Sequence, residues 1–293
     1  MAKPSILVTG ALGQVGNELR QLLGDRAEYV DREEMDITDR EAVLKFIGVG
    51  GYRVVINCAA YTAVDKAESE EDQAHLVNVF GPANLAEASA ANSALLLHIS
   101  TDFVFDGKEG SGVYTEEHPV NPLSVYGKTK AEGERAVLES TARAIIIRTS
   151  WVYSFFGANF VKTMIRLGTE RDTLSVIDDQ TGSPTYAADL AGVLAKITEE
   201  ELAGTLNAED MGLYHYSNSG HTTWCGFARA IMKGMDIDCD VQAIPTSGYP
   251  TPAERPNWSV LDCSRIEARF SGPIPYWEDS LTKCLTLLSN SEE

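Results

Sequence analysis

The sequence predicts an α/β fold: a doubly wound parallel sheet followed by a smaller C-terminal α/β unit. Three observations carry that expectation. Short β-branched runs at residues 5–9, 53–57, 95–100 and 144–149 alternate with helical periodicity at 14–23, 39–46 and 71–91, and strands alternating with helices build parallel βαβ units. Runs such as Val54-Val55-Ile56 are apolar on both sides, as a sheet covered by helices on both faces requires. The first run meets three glycines at once, Gly10, Gly13 and Gly16, which mark a tight strand-to-helix turn.

Taken in order, the elements divide the chain. Residues 1–150 hold the regular alternation, including a second strand ending near Val30, and form the first unit. Beyond Trp151, helical stretches at 159–167, 186–197, 223–235 and 278–288 are separated by loops rich in Gly, Pro, Ser and Thr. Residues 151–293 are therefore expected to form mainly a smaller substrate-binding unit, with segments near 178–200 and 215–235 returning to the first. The stretch 244–256 contains four prolines and reads as a long loop wrapped over something. Residues 289–293 read as a frayed tail.

Composition narrows the partners. With 44% hydrophobic and 23% charged residues over 293 positions, the chain is an ordinary globular protein. A net charge of −19 repels polyanions, so neither nucleic acid nor an acidic membrane surface is expected. No stretch approaches the ~20 apolar residues of a membrane span. The N-terminus lacks a signal-peptide pattern, because the run Ile6-Leu7-Val8 is cut short by glycine. The five cysteines, Cys58, Cys225, Cys239, Cys263 and Cys284, are odd in number and lack CxxC spacing, which reads as free thiols in a reducing compartment. The expected location is the cytoplasm, where the sequon at Asn257 carries no weight.

The glycine turn supplies the first chemistry. In Gly10-Ala11-Leu12-Gly13-Gln14-Val15-Gly16, Gly10 permits the turn, and Gly13 lets backbone approach a pyrophosphate held on the helix N-terminus. Gly16 lets the helix pack closely on the sheet. Placed after a first strand, this is a Rossmann-type dinucleotide loop. Past the second strand, Asp31 suits free ribose hydroxyls and Arg32 suits a 2′-phosphate, so NADH and NADPH both stay open. Asp36 and Ile37 follow where adenine is expected; Asp36 or Thr38 can instead cap the next helix, and Asp39 is the preferred cap. Ala59 and Ala60, before Tyr61, are small enough for a cofactor to lie against the backbone.

The fourth strand ends in Ser100-Thr101-Asp102. Tyr126 and Lys130 follow on a predicted helix, four apart and so on one face. An ammonium beside a phenol stabilises phenolate and lowers the tyrosine pKa toward neutrality. Tyr126 then acts as general acid toward the alkoxide formed when hydride reaches a carbonyl, and Thr101 holds the carbonyl oxygen. The expected catalytic group is Tyr126, Lys130 and Thr101.

The Gly10–Gly16 loop, Ser100-Thr101-Asp102 and the Tyr126/Lys130 pair together resemble the extended short-chain dehydrogenase/reductase superfamily. Residues 58–68, 100–107, 148–153 and 184–190, with Arg255-Pro256, resemble one branch of it, the dTDP-4-dehydrorhamnose reductase family. The resemblance runs from about Ile6 to the Trp277 region. It implies NAD(P)H-dependent reduction of the C4 ketone of dTDP-4-dehydro-L-rhamnose, in the making of rhamnose for cell-surface polysaccharide. It implies Tyr126 as proton donor, with Lys130 bonded to the nicotinamide ribose. Gln14, Val15, Asp36, Ile37, Ala59, Ala60 and Tyr61 would lie along the cofactor, and Thr101, Asp102, Tyr126 and Trp151 against the nucleotide sugar. Some relatives bridge dimers through magnesium held by acidic side chains. Glu18 alone stands out here as a ligand, so no metal is expected, and the chain is taken as a monomer or homodimer.

Other residues are read more plainly. Arg255, near prolines in the long loop, either docks that loop or pairs bidentately with a diphosphate. Asp65, Lys66 and Glu68 read as a charged helix start, and His98 as a hydrogen-bonded core residue. His75, His118, His215 and His221 lack metal-ligand spacing. Trp224 and Trp258 read as packing residues. Two alternatives stay open: another nucleotide-sugar reductase or epimerase, and a non-catalytic subunit like the regulatory subunit of methionine adenosyltransferase. The intact Thr101, Tyr126 and Lys130 argue against the second.

Overall fold

The β-branched runs pair side by side. A computed structural model describes residues 3–108 and 112–290. In chain order the elements of the first unit begin with β1 (Ile6–Thr9), α1 (Gln14–Leu23), β2 (Ala27–Val30), α2 (Arg40–Gly50), β3 (Val54–Asn57), α3 (Val64–Ala67), α4 (Glu71–His75), α5 (Gly81–Ala91), β4 (Leu95–Thr101), α6 (Val125–Leu138) and β5 (Arg143–Thr149). There follow β6 (Val152–Tyr153), α7 (Phe160–Glu170), β7 (Thr173–Ile177), β8 (Thr181–Gly182), β9 (Thr185–Tyr186), α8 (Ala187–Ala203), β10 (Gly212–His215), β11 (Thr222–Thr223), α9 (Trp224–Gly234), β12 (Asp240–Ile244), α10 (Ser264–Ile266) and α11 (Trp277–Asn290).

Six strands form one sheet in the order β10-β5-β4-β3-β1-β2, every neighbouring pair parallel. The central strands are apolar on both sides because both faces are covered. On one face Val8, Ile56, Leu97 and Ile147 meet Leu19 of α1 and Leu190 and Leu194 of α8. On the other, Leu7, Val55, Leu96 and Ile146 meet Ile47 of α2, Leu85 of α5 and Val137 of α6. Thr9, Asn57 and Thr101 therefore end their strands at one carboxyl edge, where open α/β sheets bind ligands. A second apolar cluster joins α7, α9, α11 and the β7/β12 pair through Met164, Phe227, Ile231, Val241 and Leu281.

Three expectations change. Of the segments expected to return to the first unit, 178–200 supplies most of α8, which packs on α1. The helix within 215–235 does not return: α9 turns Phe227, Ala228 and Ile231 into the second cluster, and it is β10 that extends the sheet beside β5. The helix expected over 71–91 is interrupted by a π turn at Leu76–Phe80. The widened turn points Asn78 inward, where its amide bonds both backbone groups of Tyr61 (2.8 and 3.1 Å) and the Thr129 hydroxyl (3.1 Å). Finally, Ser289 and Asn290 continue α11; 291–293 lie outside the described residues. Among the described residues no helix is long and apolar enough to cross a membrane.

Candidate active site

A cleft of about 1230 Å³ runs along the carboxyl edge of β1, β3 and β4. Its floor begins at the glycine turn. Gly10 has φ +65°, and a Cβ there would fall 2.5 Å from the Ala59 amide nitrogen, so only glycine fits. Gly13 is the N-cap of α1 and gives that helix no side-chain cap, which leaves its positive end open toward the cleft. That is what a pyrophosphate requires. Leu12, Gln14 and Val15 line the same floor. Gly16 does not: its Cβ would fall 2.5 Å from the Gly10 carbonyl oxygen and 2.7 Å from the Ala11 Cα. It packs the helix on its own turn, not on the sheet.

At the far end of the floor, the Asp31 carboxylate accepts from the Leu12 amide (3.0 Å) and the Arg32 amide (2.9 Å). The exposed Arg32 guanidinium pairs with Asp36 at 3.1 Å. Burial favours a neutral Asp36, but the Thr38 amide and hydroxyl, with Arg32, outweigh it and hold that carboxyl below the ordinary range. Asp39 caps α2 by accepting from the Ala42 amide (3.0 Å). Ile37, Ala59, Ala60 and Tyr61 complete the wall, and the Tyr61 hydroxyl donates to Glu70 (2.6 Å).

Tyr126 and Lys130 lie in the first turns of α6, which Ser124 caps by accepting from the Gly127 amide (3.2 Å). Both are buried and line the cleft with Thr101 and Asp102. The expected lowering of the Tyr126 pKa by Lys130 is not what the geometry gives. The Lys130 ammonium donates to the Ile99 carbonyl (2.7 Å), and burial brings its pKa down to about 8. Burial pushes the Tyr126 phenol up to about 12, with the Thr101 hydroxyl favouring phenolate and the Asp102 charge opposing it. Thr101 donates to Asp102 (3.1 Å) and accepts from the Phe103 amide (3.2 Å). Burial also lifts Asp102 to about 6, against the Ser259 and Thr101 hydroxyls that favour its charge.

Behind this group lie two buried polar layers. His98 is a core residue: its Nδ1 faces the Asn57 amide (2.9 Å), and burial together with Lys130 holds the ring neutral. Glu134, one turn past Lys130, forms a two-bond ion pair with Arg148 of β5 (2.9 and 2.7 Å), both side chains 4% exposed.

The opposite wall comes from the second unit. Trp151 lines it, and so does Trp224, read from sequence as packing only. Gly157, Ala158 and Phe160 also face the cleft, while Met35, Gln73 and Val77 add to the first unit's side. Sequence reasoning missed all of these. Asn159 and Thr223 are readable helix caps, and each is followed at once by an aromatic residue. Only the packing of the two units shows where those helix starts point. Trp258 is a packing residue; its indole donates to the Gly112 carbonyl (2.6 Å). Arg255 lines the cleft, yet its guanidinium is spent on Asp65 (3.0 and 2.7 Å), the Thr251 hydroxyl and the Ala253 carbonyl. It docks the proline-rich loop on the start of α3. Glu18 is buried, accepts from the Ser154 hydroxyl (2.6 Å) and has its pKa raised by burial. Among the described residues no group of three or more His, Cys, Asp or Glu could hold a metal ion.

The family described as RmlD substrate binding domain matches residues 4–290. A dTDP-4-dehydrorhamnose reductase of Aggregatibacter actinomycetemcomitans is 43% identical over 94% of this chain and 96% of its own length. The chain belongs to the dTDP-4-dehydrorhamnose reductase family. Another member, from Streptomyces griseus, is 45% identical over 98% of this chain and 94% of its own. The solved dTDP-4-dehydrorhamnose reductase of Bacillus anthracis strain Ames, a complex with NADP, superposes with a TM-score of 0.91 at 37% identity, covering 98% of this chain and 100% of that one.

Proposed function

We propose that this chain reduces the C4 ketone of dTDP-4-dehydro-L-rhamnose to dTDP-L-rhamnose with NADPH or NADH. By family it is an NAD(P)-dependent oxidoreductase of nucleotide-sugar metabolism. The observation that carries the reading is that Tyr126, Lys130 and Thr101 share one cleft with the uncapped start of α1.

The cofactor, when bound, supplies the hydride. The open helix end and Gly13 would hold its pyrophosphate, Asp31 and Arg32 its adenosine ribose, and Ala59, Ala60 and Tyr61 would flank it. Tyr126 keeps its proton in the ground state, since burial holds its pKa near 12. The substrate oxygen takes that proton only as it becomes an alkoxide, which suits a general acid. Lys130 spends one of its three N–H donors on Ile99 and keeps two for a ribose hydroxyl and the phenolate left behind. Thr101 has a single proton, which it gives to Asp102. It can hold the ketone only when that proton swings to the substrate.

The first unit carries the cofactor, and Trp151 with its neighbours in the second unit closes over the sugar nucleotide. All five cysteines are free, which supports a reducing, cytoplasmic setting, and the net charge of −19 favours a small-molecule substrate over nucleic acid. The test is turnover of dTDP-4-dehydro-L-rhamnose by the purified chain with NADPH, and separately NADH, following cofactor oxidation and product mass. Stoichiometric cofactor oxidation with dTDP-L-rhamnose formed is expected. A sugar isomerised without added cofactor would mean an epimerase instead, and no turnover would reject the assignment.

A further inference from the structure

Trp151 has a left-handed backbone, φ +47°, a conformation that a bulky L residue adopts only where its surroundings impose it. Two neighbours accommodate the indole here. Trp224 stacks on its indole, ring centroids 3.6 Å apart and planes 8° from parallel. Gly182 leaves room for the same indole: a Cβ at 182 would come within 2.6 Å of it. Trp224 is itself fixed. It opens α9 directly behind Thr223, whose hydroxyl caps the helix through the Gly226 amide (2.9 Å), and Phe160 leans on it at 4.6 Å. Rings already in van der Waals contact admit nothing between them, so the two indoles form one wall of the cleft and not the two sides of a ligand slot. Trp224 supports Trp151 from its stacked face.

The stack lines the same cleft as Thr101, Tyr126 and Lys130. Gly182 follows Thr181, whose backbone bonds Asn257 (2.8 Å) and Ser259 (2.9 Å), and the Ser259 hydroxyl lies beside Asp102. Trp151 thus shares one cleft with Thr101 and Tyr126, where the proposed reduction needs the sugar ring. A deoxy-sugar offers C–H bonds and a methyl group to such a wall, and an indole face is a large, stiff apolar surface.

We propose that Trp224 is a positioning residue for the sugar half of the substrate, holding Trp151 against its backbone strain as a rigid wall for the 6-deoxyhexose ring. The proposal rests on the reductase reading. It makes Gly182 a second determinant of the same wall, because any side chain there pushes the indole away.

Equilibrium binding to the full chain tests it, with dTDP-L-rhamnose, dTDP and NADPH as separate probes and circular dichroism to follow the coupled indoles. Trp224→Leu is expected to lose the coupled-indole signal and to weaken dTDP-L-rhamnose about tenfold, leaving dTDP and NADPH unchanged. Trp224→Phe, which keeps a ring behind Trp151, should restore sugar-nucleotide affinity to within about twofold. Gly182→Ala should weaken dTDP-L-rhamnose alone while Trp224 stays in place. Unaltered sugar-nucleotide binding in Trp224→Leu would overturn the proposal, and so would a loss shared equally by all three probes or a failure of phenylalanine to rescue. If the wild-type chain binds NADPH but no dTDP-L-rhamnose, the reductase reading itself falls and takes the proposal with it.

Discussion

Burial pushes the Tyr126 phenol up to about 12, so it carries a proton in the ground state, as the proposed general acid must. Removing its hydroxyl removes the proton and little else. Tyr126→Phe should keep its affinity for NADPH and lose at least ~100-fold in turnover; comparing cofactor titration with steady-state rates checks it, and near-normal turnover would strip the residue of its role. Lys130 titrates within reach of ordinary buffers. Burial has brought its pKa to about 8, below the usual lysine value, so the ammonium proposed to support phenolate is present below that pH and is lost above it. Turnover should therefore fall as pH rises through about 8. A profile flat across that range would show that Lys130 stays charged whatever the solvent does.

Helix α6 carries both groups, so whatever holds the helix holds the proposed acid and its partner. It is gripped on two sides. A Cβ at Gly133 would fall 2.0 Å from the Asn78 carbonyl oxygen, so the helix lies directly on the π turn. Glu134 pairs with Arg148 out of water. A buried ion pair adds little over an apolar replacement, but removing one partner strands the other charge. Arg148→Met should cost about 3–5 kcal/mol, and adding Glu134→Met should recover most of that loss. Urea unfolding of the two variants measures it; a double variant no better than the single one would mean that the pair is valued for something other than charge balance.

Over the whole molecule, a net charge of −19 confronts a substrate that carries a diphosphate. Two of the cations at the cleft are already matched, Arg32 by Asp36 and Arg255 by Asp65, so little free positive charge reaches outward to steer an anion inward. Repulsion should dominate the encounter at low salt, and salt screens repulsion. The expected result is a kcat/KM for the sugar nucleotide that rises as ionic strength increases from about 0.01 M to about 0.15 M. A falling value would reveal a local cationic funnel stronger than the global field.

The parallel sheet, the glycine turn and the Tyr126/Lys130 pair were legible in the chain alone, because each depends on periodicity or on residues close together in the chain. Two apolar faces on a strand, or two side chains four apart on a helix, mean the same thing wherever the rest of the molecule goes. Tertiary structure alone decided that Trp224 backs Trp151, that Arg255 is spent on Asp65, that α9 belongs to the second unit, and that Lys130 donates to Ile99 while Tyr126 stays a neutral phenol. Those outcomes turn on desolvation and on contacts between segments tens to hundreds of residues apart, and no local pattern encodes them. A buried charge takes its pKa from everything that surrounds it, and what surrounds it exists only once the chain has folded.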